Sequence, residues 1–324
     1  MIREKSSVQQ IAERIKSVKK VAIFTHQRPD GDALGCSLAL SLALDFLNIK
    51  NEIFDESPMP SNLKFLPNLE RVKNKLTEEY DLYIALDCAD LSRLGMFSVA
   101  FEKAGRKFSN TVNIDHHVSN LLYARYNFVR TCASNCLNVA LLIDALGVPI
   151  TKEMADYLLT GLLTDSGNFS HDDVNEECLL LGARLVSAGA DIRGLNYELF
   201  KKQPKARAKL YGEVMSKIRY FNEDKFAVIV ITLDAMQRAG ADSGMTEGFV
   251  DFPLNVDTVE VAASIMEVKK GQYRISLRSK TYADVSKIAG VYGGGGHVRA
   301  SGCMLFGDIE EILDKLSYTV YQYL

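Results

Sequence analysis

The sequence predicts an α/β protein, with a helix-flanked parallel sheet in its N-terminal part and a smaller α+β unit behind it. Three observations carry this. Apolar runs at 21–25 (VAIFT), 81–87 (DLYIALD) and 111–115 (TVNID) alternate with helix-patterned stretches, as βαβ units do. Two of those runs end in a carboxylate, so the acids belong at strand C-termini, the edge where open parallel sheets bind ligands. Beyond residue 216 the apolar runs KFAVIVIT, VEVAASIMEV and YRISLRS come close together, which describes a separate strand-rich unit.

Taken in order, Val8, Ile11, Ala12, Ile15 and Val18 recur at helical spacing ahead of the first strand. After the loop HQRPDGD comes the apolar helix ALGCSLALSLALDFLN, then a short strand near Glu52–Phe54. Helices follow the third apolar run, at Cys136–Leu146, Lys152–Leu163 and Glu176–Ala188. The domain boundaries expected are 1–190, a basic helical linker at 191–216 around Pro204, and 217–324. In the last segment the strands are followed by a helix from Asp284, the loop YGGGGHVRASG, a strand GCMLF and a closing helix from Asp308.

Composition narrows the function. Apolar residues at 47% and charged residues at 24% leave enough for two cores and no room for a long disordered tail. The first twenty residues carry charge throughout, and no window approaches the roughly 18 apolar residues of a membrane span, so a cytoplasmic protein without membrane contact is expected. Six scattered cysteines without CxxC spacing indicate neither a zinc site nor a disulfide framework. A net charge of −3 argues against a broad basic face for long duplex nucleic acid, so a nucleotide polymer bound here should be short. The run Lys201, Lys202, Lys205, Arg207 and Lys209 reads as a solvated helix face. A homodimer is compatible with the sequence, which does not fix the oligomeric state.

Four segments carry candidate chemistry. His26, Asp30 and Asp32 sit in a loop after a strand, with Gly31 read as the residue that lets the backbone turn between the two acids. An acid-rich turn before a helix also serves as an N-terminal cap. Asp87 ends a buried run, where a carboxylate costs several kcal/mol unless paired, protonated or bound to metal; Asp90 reads as a surface residue or a cap. Asp115, His116 and His117 leave the third strand with the imidazoles on opposite sides, so that one can ligate a metal and the other face a substrate while Asp115 orients a ring. Asp165 closes an apolar helix in LLTDSGNF.

In the order HxxxDGD, ALD, DHH and LTDSG, with PDGDALG at 29–35 and DHH at 115–117, these segments resemble the DHH phosphoesterase superfamily. The loop GGGGH at 293–297, followed by Ala300-Ser301-Gly302 and preceded by ISLRS at 275–279, resembles the DHH-associated substrate domain of the oligoribonuclease branch rather than the C-terminal domain of family II pyrophosphatases. The resemblance runs from about Val21 to Gly302. It implies two cations, one on His26, Asp30 and Asp87 and one on Asp32, Asp87, His116 and Asp165, with Asp87 bridging. Mn²⁺ suits these ligands; Mg²⁺, Co²⁺ and Fe²⁺ fit the same donor types. It also implies that His117 contacts the scissile phosphate or protonates the leaving oxygen, and that Arg278, Gly294, Gly295, Gly296, His297 and Arg299 hold a phosphate or terminal nucleotide.

The activity implied is hydrolysis of RNA or DNA oligonucleotides of two to a few nucleotides, with phosphatase action on 3′-phosphoadenosine 5′-phosphate. A cleft between two domains would measure substrate length. The alternatives are a cyclic di-adenylate phosphodiesterase, an inorganic pyrophosphatase, and a non-catalytic nucleotide sensor, which would lack part of the ligand set. One departure from the family pattern is Asn135, in Ala133-Ser134-Asn135 where a Ser or Thr is usual, which bears on a helix cap or a substrate contact.

Overall fold

The computed structural model describes residues 5–108 and 110–324, so the first four residues of the charged start lie outside it. The chain divides after Lys202 into two compact units. In the first, β1 (Lys20–Phe24), β2 (Lys50–Phe54), β3 (Val72–Lys73), β4 (Leu82–Leu86), β5 (Thr111–Asp115) and β6 (Tyr126–Val129) form one sheet in the order β3-β2-β1-β4-β5-β6. Every neighbouring pair is parallel.

Both faces of this sheet are covered, which is why β1, β4 and β5 read as continuous apolar runs. Val21, Ile23, Leu82, Ile84, Leu86, Val112 and Ile114 point to one face, against α1 (Val8–Lys16), α2 (Gly31–Phe46), α4 (Asn135–Leu146), α5 (Lys152–Asp165) and α6 (Glu176–Ser187). Ala22, Phe24, Phe54, Tyr83 and Ala85 point to the other, against Leu94, Phe97 and α3 (Ser98–Phe108), which contributes Phe101. Phe24 lies within 5.4–6.0 Å of four rings there, an aromatic cluster that fixes the end of β1. A short helix, α7 (Ile192–Asn196), ends the unit with a π-helical turn at Tyr197–Lys201.

From β1 the chain goes to β2 on one side and later returns to β4 on the other, so the strand order reverses between β1 and β4. Their C-terminal ends border the crevice that this topology opens. Helix α2 crosses beneath it, buried almost all round, and packs unusually close to α5. A Cβ on Gly35 would lie 2.4 Å from the Tyr157 carbonyl oxygen, and one on Gly161 would lie 2.8 Å from Asp32 Oδ1.

The second unit holds α8 (Lys205–Met215), β7 (Arg219–Phe221), β8 (Phe226–Ile231), α9 (Leu233–Ala239), α10 (Asp251–Leu254), β9 (Val261–Lys269), β10 (Gln272–Ser279), α11 (Val285–Val291), β11 (Gly295–His297), β12 (Ala300–Phe306) and α12 (Ile309–Tyr321). Its sheet runs β11-β12-β10-β9-β8-β7, antiparallel except for β8 against β9. Helices α11 and α12 bury one face. On the other, Leu210 and Val214 of α8 and Ala235 and Met236 of α9 pack on Ile229, Ile231 and Met266.

Two sequence expectations read differently in the structure. The stretch expected to be a linker is divided: α7 and the turn after it belong to the first unit, and α8 is anchored in the second through Leu210 and Val214, one helical turn apart. The glycine loop is a hairpin arm, with Gly295, Gly296 and His297 paired to Gly302, Ser301 and Ala300. Substituting Gly161→Ala should destabilise the first unit by about 1–3 kcal/mol, because the new methyl meets Asp32 and Cys136 at 2.9 Å or less. A chemical-denaturation midpoint equal to that of the wild type would show that α2 and α5 can separate freely.

Candidate active site

The elements reaching the crevice each deliver at least one polar side chain. His26 follows β1 and is 4% exposed. Asp30 is the N-cap of α2: its Oδ1 accepts from the N–H groups of Asp32 (3.1 Å) and Ala33 (3.0 Å), while Oδ2 lies 3.7 Å from His26 Nε2. Capping and facing the cluster are thus done by two oxygens of one carboxylate. Gly31 is not the tight turn expected. It opens α2 with an ordinary helical backbone, and a Cβ there would lie 2.4 Å from Thr164 Oγ1, so crowding by α5 is what requires glycine.

Asp32 is completely buried and aims at the first turn of α4. Its Oδ1 accepts from Ser134 Oγ (2.8 Å) and the Cys136 N–H (3.1 Å), and Oδ2 accepts from the Asn135 N–H (2.6 Å). A helix N-terminus is a natural seat for this carboxylate. Ser134 is also the N-cap of α4, and the Asn135 side chain donates to the Ile114 carbonyl at 3.0 Å, tying α4 to β5. The unusual Asn135 therefore serves the scaffold, and it is fully buried.

Asp87 leaves β4 with φ at 52°, a left-handed conformation that a non-glycine residue adopts at some cost. Its N–H donates to the Ile114 carbonyl at 3.0 Å, which holds the bend. Oδ2 then stands 3.6 Å from His26 Nε2, and Oδ1 stands 3.3 Å from His116 Nε2. His116 pairs its Nδ1 with the Cys132 carbonyl at 2.8 Å, so Nδ1 carries a hydrogen and Nε2 is the nitrogen left for a metal or a second proton. Asp165, the last residue of α5, brings Oδ2 to 3.4 Å from the same nitrogen.

Among the described residues three buried side-chain atoms lack a hydrogen-bond partner: Asp87 Oδ1, His116 Nε2 and Arg130 Nη2. Two of these face each other at 3.3 Å, and while the imidazole is neutral both are acceptors. Leaving such atoms unsatisfied costs about 1–3 kcal/mol each, and a cation between them removes the cost. The possible ligand atoms of His26, Asp30 and Asp87 lie within 4.8 Å of one another, as do those of Asp32, His116 and Asp165, and those of Asp87, Asp115, His116 and His117. These donor sets fit hard divalent cations.

Beside them, His117 pairs Nδ1 with Asp115 Oδ1 at 2.8 Å, and Asp115 Oδ2 accepts from Asn120 Nδ2 at 2.5 Å. Asn120 also donates to Asn113 at 2.8 Å, which makes the loop after β5 rigid. Asp90 caps the 3₁₀ turn Leu91–Phe97 and is not in the cluster. Sequence reasoning passed over Asp55, buried just after β2 and accepting from Thr25 Oγ1 at 2.9 Å, since β2 has only Ile53 and Phe54 as apolar residues and does not read as an apolar run. It also passed over Ser134, whose place before an apolar helix is an N-cap pattern, and Arg93, whose Nη2 is 3.1 Å from His26 Nδ1.

In the second unit, strand register puts Arg278, Ala300 and His297 side by side across β10, β12 and β11, with their side chains on one face. The adjacent row on that face is Ser276, Gly302 and Gly295. The result is a floor of small residues between an arginine and a histidine. Gly294 and Gly296 are required by the hairpin, since a Cβ would lie 2.2 Å from the Gly302 carbonyl oxygen and 2.6 Å from that of Ala300. Arg299 is committed elsewhere: its guanidinium donates to the carbonyls of Thr281 and Ala283 and anchors that loop.

The DHH family, N-terminal domain model matches residues 20–162, and the DHHA1 domain model matches residues 223–322. A Thermus thermophilus protein named bifunctional oligoribonuclease and PAP phosphatase NrnA is 33% identical over 313 residues, spanning 94% of this chain and 91% of that one. The chain belongs to the DHH family. A Bacillus subtilis protein of the same name is 24% identical over 290 residues, spanning 88% and 89% of the two chains. The crystal structure of an exopolyphosphatase-related protein from Bacteroides fragilis is 26% identical, superposes with a TM-score of 0.82, and is covered over 96% of its length by 98% of this chain. The protein is accordingly a metal-dependent phosphoesterase of the DHH family, a hydrolase. Among the described residues no helix is long and apolar enough to cross a membrane.

Charge in this cluster makes a pH prediction. Burial pulls the His26 and His116 imidazoles down, but the carboxylates of Asp30 and Asp87 around His26, and of Asp87 and Asp32 around His116, outweigh it and push both to about 10. Asp165 is pushed up to about 10 by burial and then by Asp32, Asp87 and Asp30. Burial acts on Asp87 in the same upward sense, but His116 and His26 hold it below the carboxylate range, so its contribution is constant above about pH 4. The raised histidines stabilise the chelated fold fully below 6.5 and lose this as pH climbs to about 10. Asp165, ordinarily ionised above 3.8, loses stability over the climb to about 10. Thermal melts in chelator should therefore fall from about pH 6 to about pH 8.5, and the rise in Tm on adding Mn²⁺ should be larger at the higher pH. A Tm rise that shrinks with pH would contradict the arrangement.

Proposed function

We propose that the protein hydrolyses very short oligonucleotides, dinucleotides of the pApA type included, and also 3′-phosphoadenosine 5′-phosphate, using two Mn²⁺ ions. The observation that carries this reading is the facing pair of buried atoms without hydrogen-bond partners, Asp87 Oδ1 and His116 Nε2, at the point where strand order reverses. His26, Asp30 and Asp87 would hold one ion; Asp32, Asp87, His116 and Asp165 would hold the other. The names of the relatives from T. thermophilus and B. subtilis support the substrate class.

When bound, such a cation pair supplies an activated water and polarises the phosphoryl oxygens. The chain's own groups do the rest. Asp32 is locked by the first turn of α4, so its free directions are set before substrate arrives. The Asp115 carboxylate raises His117 and, with its Nδ1 hydrogen directed to that carboxylate, leaves Nε2 to contact the phosphate or protonate the leaving oxygen. Arg278 and His297, flanking Ala300, would receive a further phosphate or nucleotide on the open floor of the second unit.

Asp87→Asn preserves the shape of the side chain and removes its charge. With several kcal/mol of charge stabilisation at stake and about 1.4 kcal/mol per decade, Mn²⁺-dependent cleavage of pApA should fall about a thousandfold or more. Retention of most activity by a folded variant would exclude the bridging role. A panel of pApA, a five-nucleotide RNA, cyclic di-adenylate and 3′-phosphoadenosine 5′-phosphate should show the first and last as the preferred substrates; preference for the cyclic dinucleotide would overturn the assignment. Arg278→Ala should raise KM for pApA more than it lowers kcat, and an unchanged KM would remove Arg278 from the site.

A further inference from the structure

The 3₁₀ turn after Asp87 places an arginine against the metal cluster and leaves it without an anion. Arg93 is pinned by its main chain: its N–H donates to the Asp90 carbonyl at 3.1 Å, and its carbonyl accepts from the Gln27 N–H at 2.7 Å, next to His26. Leu94 and Phe97, 1% and 4% exposed, fasten the same turn to the aromatic face of the sheet. Gln27 Nε2 and the Met96 N–H both donate to the Glu56 carboxylate, which closes a brace around the turn. The backbone is therefore set, while Arg93 itself is exposed.

Its guanidinium reaches His26 Nδ1 at 3.1 Å. That nitrogen already lies 2.9 Å from the Gln27 carbonyl, to which it donates when Nε2 is the ligating atom. Nε2 is the nitrogen that faces Asp30 and Asp87, at 3.7 and 3.6 Å. A protonated Nδ1 cannot accept, and a guanidinium can only donate. If Nδ1 instead accepted from Arg93, Nε2 would carry the hydrogen and could not ligate. Metal ligation by His26 and a hydrogen bond from Arg93 thus compete for one nitrogen, and ligation leaves the guanidinium without an acceptor. Among the described residues Arg93 forms no ion pair, although both carboxylates close on the imidazole it touches.

We propose that Arg93 binds a phosphoryl oxygen of the substrate on the His26 side of the cluster, giving the catalytic unit a phosphate contact of its own. The planar fork of N–H groups suits two phosphate oxygens, which a lysine could not match. The contact would serve monoester and diester substrates alike, since both present non-bridging oxygens. This inference rests on the phosphoester reading of the site.

The test compares wild type, Arg93→Ala and Arg93→Lys as full-length, Mn²⁺-loaded protein. Calorimetry measures the affinity for adenosine 5′-monophosphate, for inorganic phosphate and for Mn²⁺ itself, and kinetics with pApA and 3′-phosphoadenosine 5′-phosphate separate kcat from KM. Expected for Arg93→Ala is a loss of about ten- to a hundredfold in nucleotide and phosphate affinity and in kcat/KM for both substrates, with Mn²⁺ affinity and Tm unchanged and partial recovery in Arg93→Lys. Values within about twofold of wild type would overturn the proposal. So would losses that appear only alongside weakened Mn²⁺ binding, which would mean Arg93 acts through His26. Failure of the wild type to bind either anion also overturns it, whereas failure to cleave either substrate while binding both anions counts against the proposed function and leaves the affinity comparison to decide Arg93.

Discussion

Like charge gathered in a dry pocket must be balanced, and at the C-terminal rim of the first sheet the protein's own groups do not balance it. Asp30, Asp32, Asp87 and Asp165 converge on two imidazoles, and the closest approach, 3.3 Å between Asp87 Oδ1 and His116 Nε2, joins two atoms that both accept unless the imidazole takes a second proton. In the absence of a cation only extra protons relieve this, and that is why Asp165 and both histidines hold theirs to about pH 10. The cluster is arranged for a charge that the chain does not contain.

Much of the surrounding sequence can be understood as what it takes to hold that arrangement still. Asp87 sits in a left-handed backbone bend and Asp32 is pulled into the start of α4, so two acids that repel one another keep fixed separations. Aiming Asp32 at α4 requires α2 and α5 to approach closely, and the small residues Gly31, Gly35 and Gly161 are where they touch. The aromatic cluster around Phe24 does the same for the opposite face, fixing the strand from which His26 departs. Packing and chemistry here are one constraint, since loosening either helix would move a ligand.

This division explains what could be read from residues alone. Burial on both faces writes β1, β4 and β5 as apolar runs, and an acid at the end of such a run is conspicuous, so Asp87 and Asp115 stood out. Strand β3 is two residues long and β6 has alternating burial beside the loop it closes, so neither is visible as an apolar run. Gly31 looked like a turn because local sequence cannot show that Thr164, far along the chain, occupies the space of its Cβ. Asn135 reads as either a helix cap or a substrate contact for the same reason: its side-chain partner is a carbonyl on β5. The basic residues of α8 suggested a free linker, while its anchors are two apolar side chains one turn apart. What stayed hidden is in each case a contact between distant segments, and Arg93, poised beside His26 without an acidic partner, is another.

An anionic centre that handles anionic substrates must find its attraction locally, because a net charge of −3 provides no broad field to draw a polyanion. Each phosphate bound needs its own counter-charge, and several arginines are already engaged within the fold. Arg299 holds two carbonyls, Arg130 is shared between Asn138 and Glu177, and Arg207 is tied to the Met245 and Glu247 carbonyls. With these arginines committed, one or two phosphates can be matched by metal held at the acidic cluster and by groups such as Arg93 that have no acidic partner among the described residues.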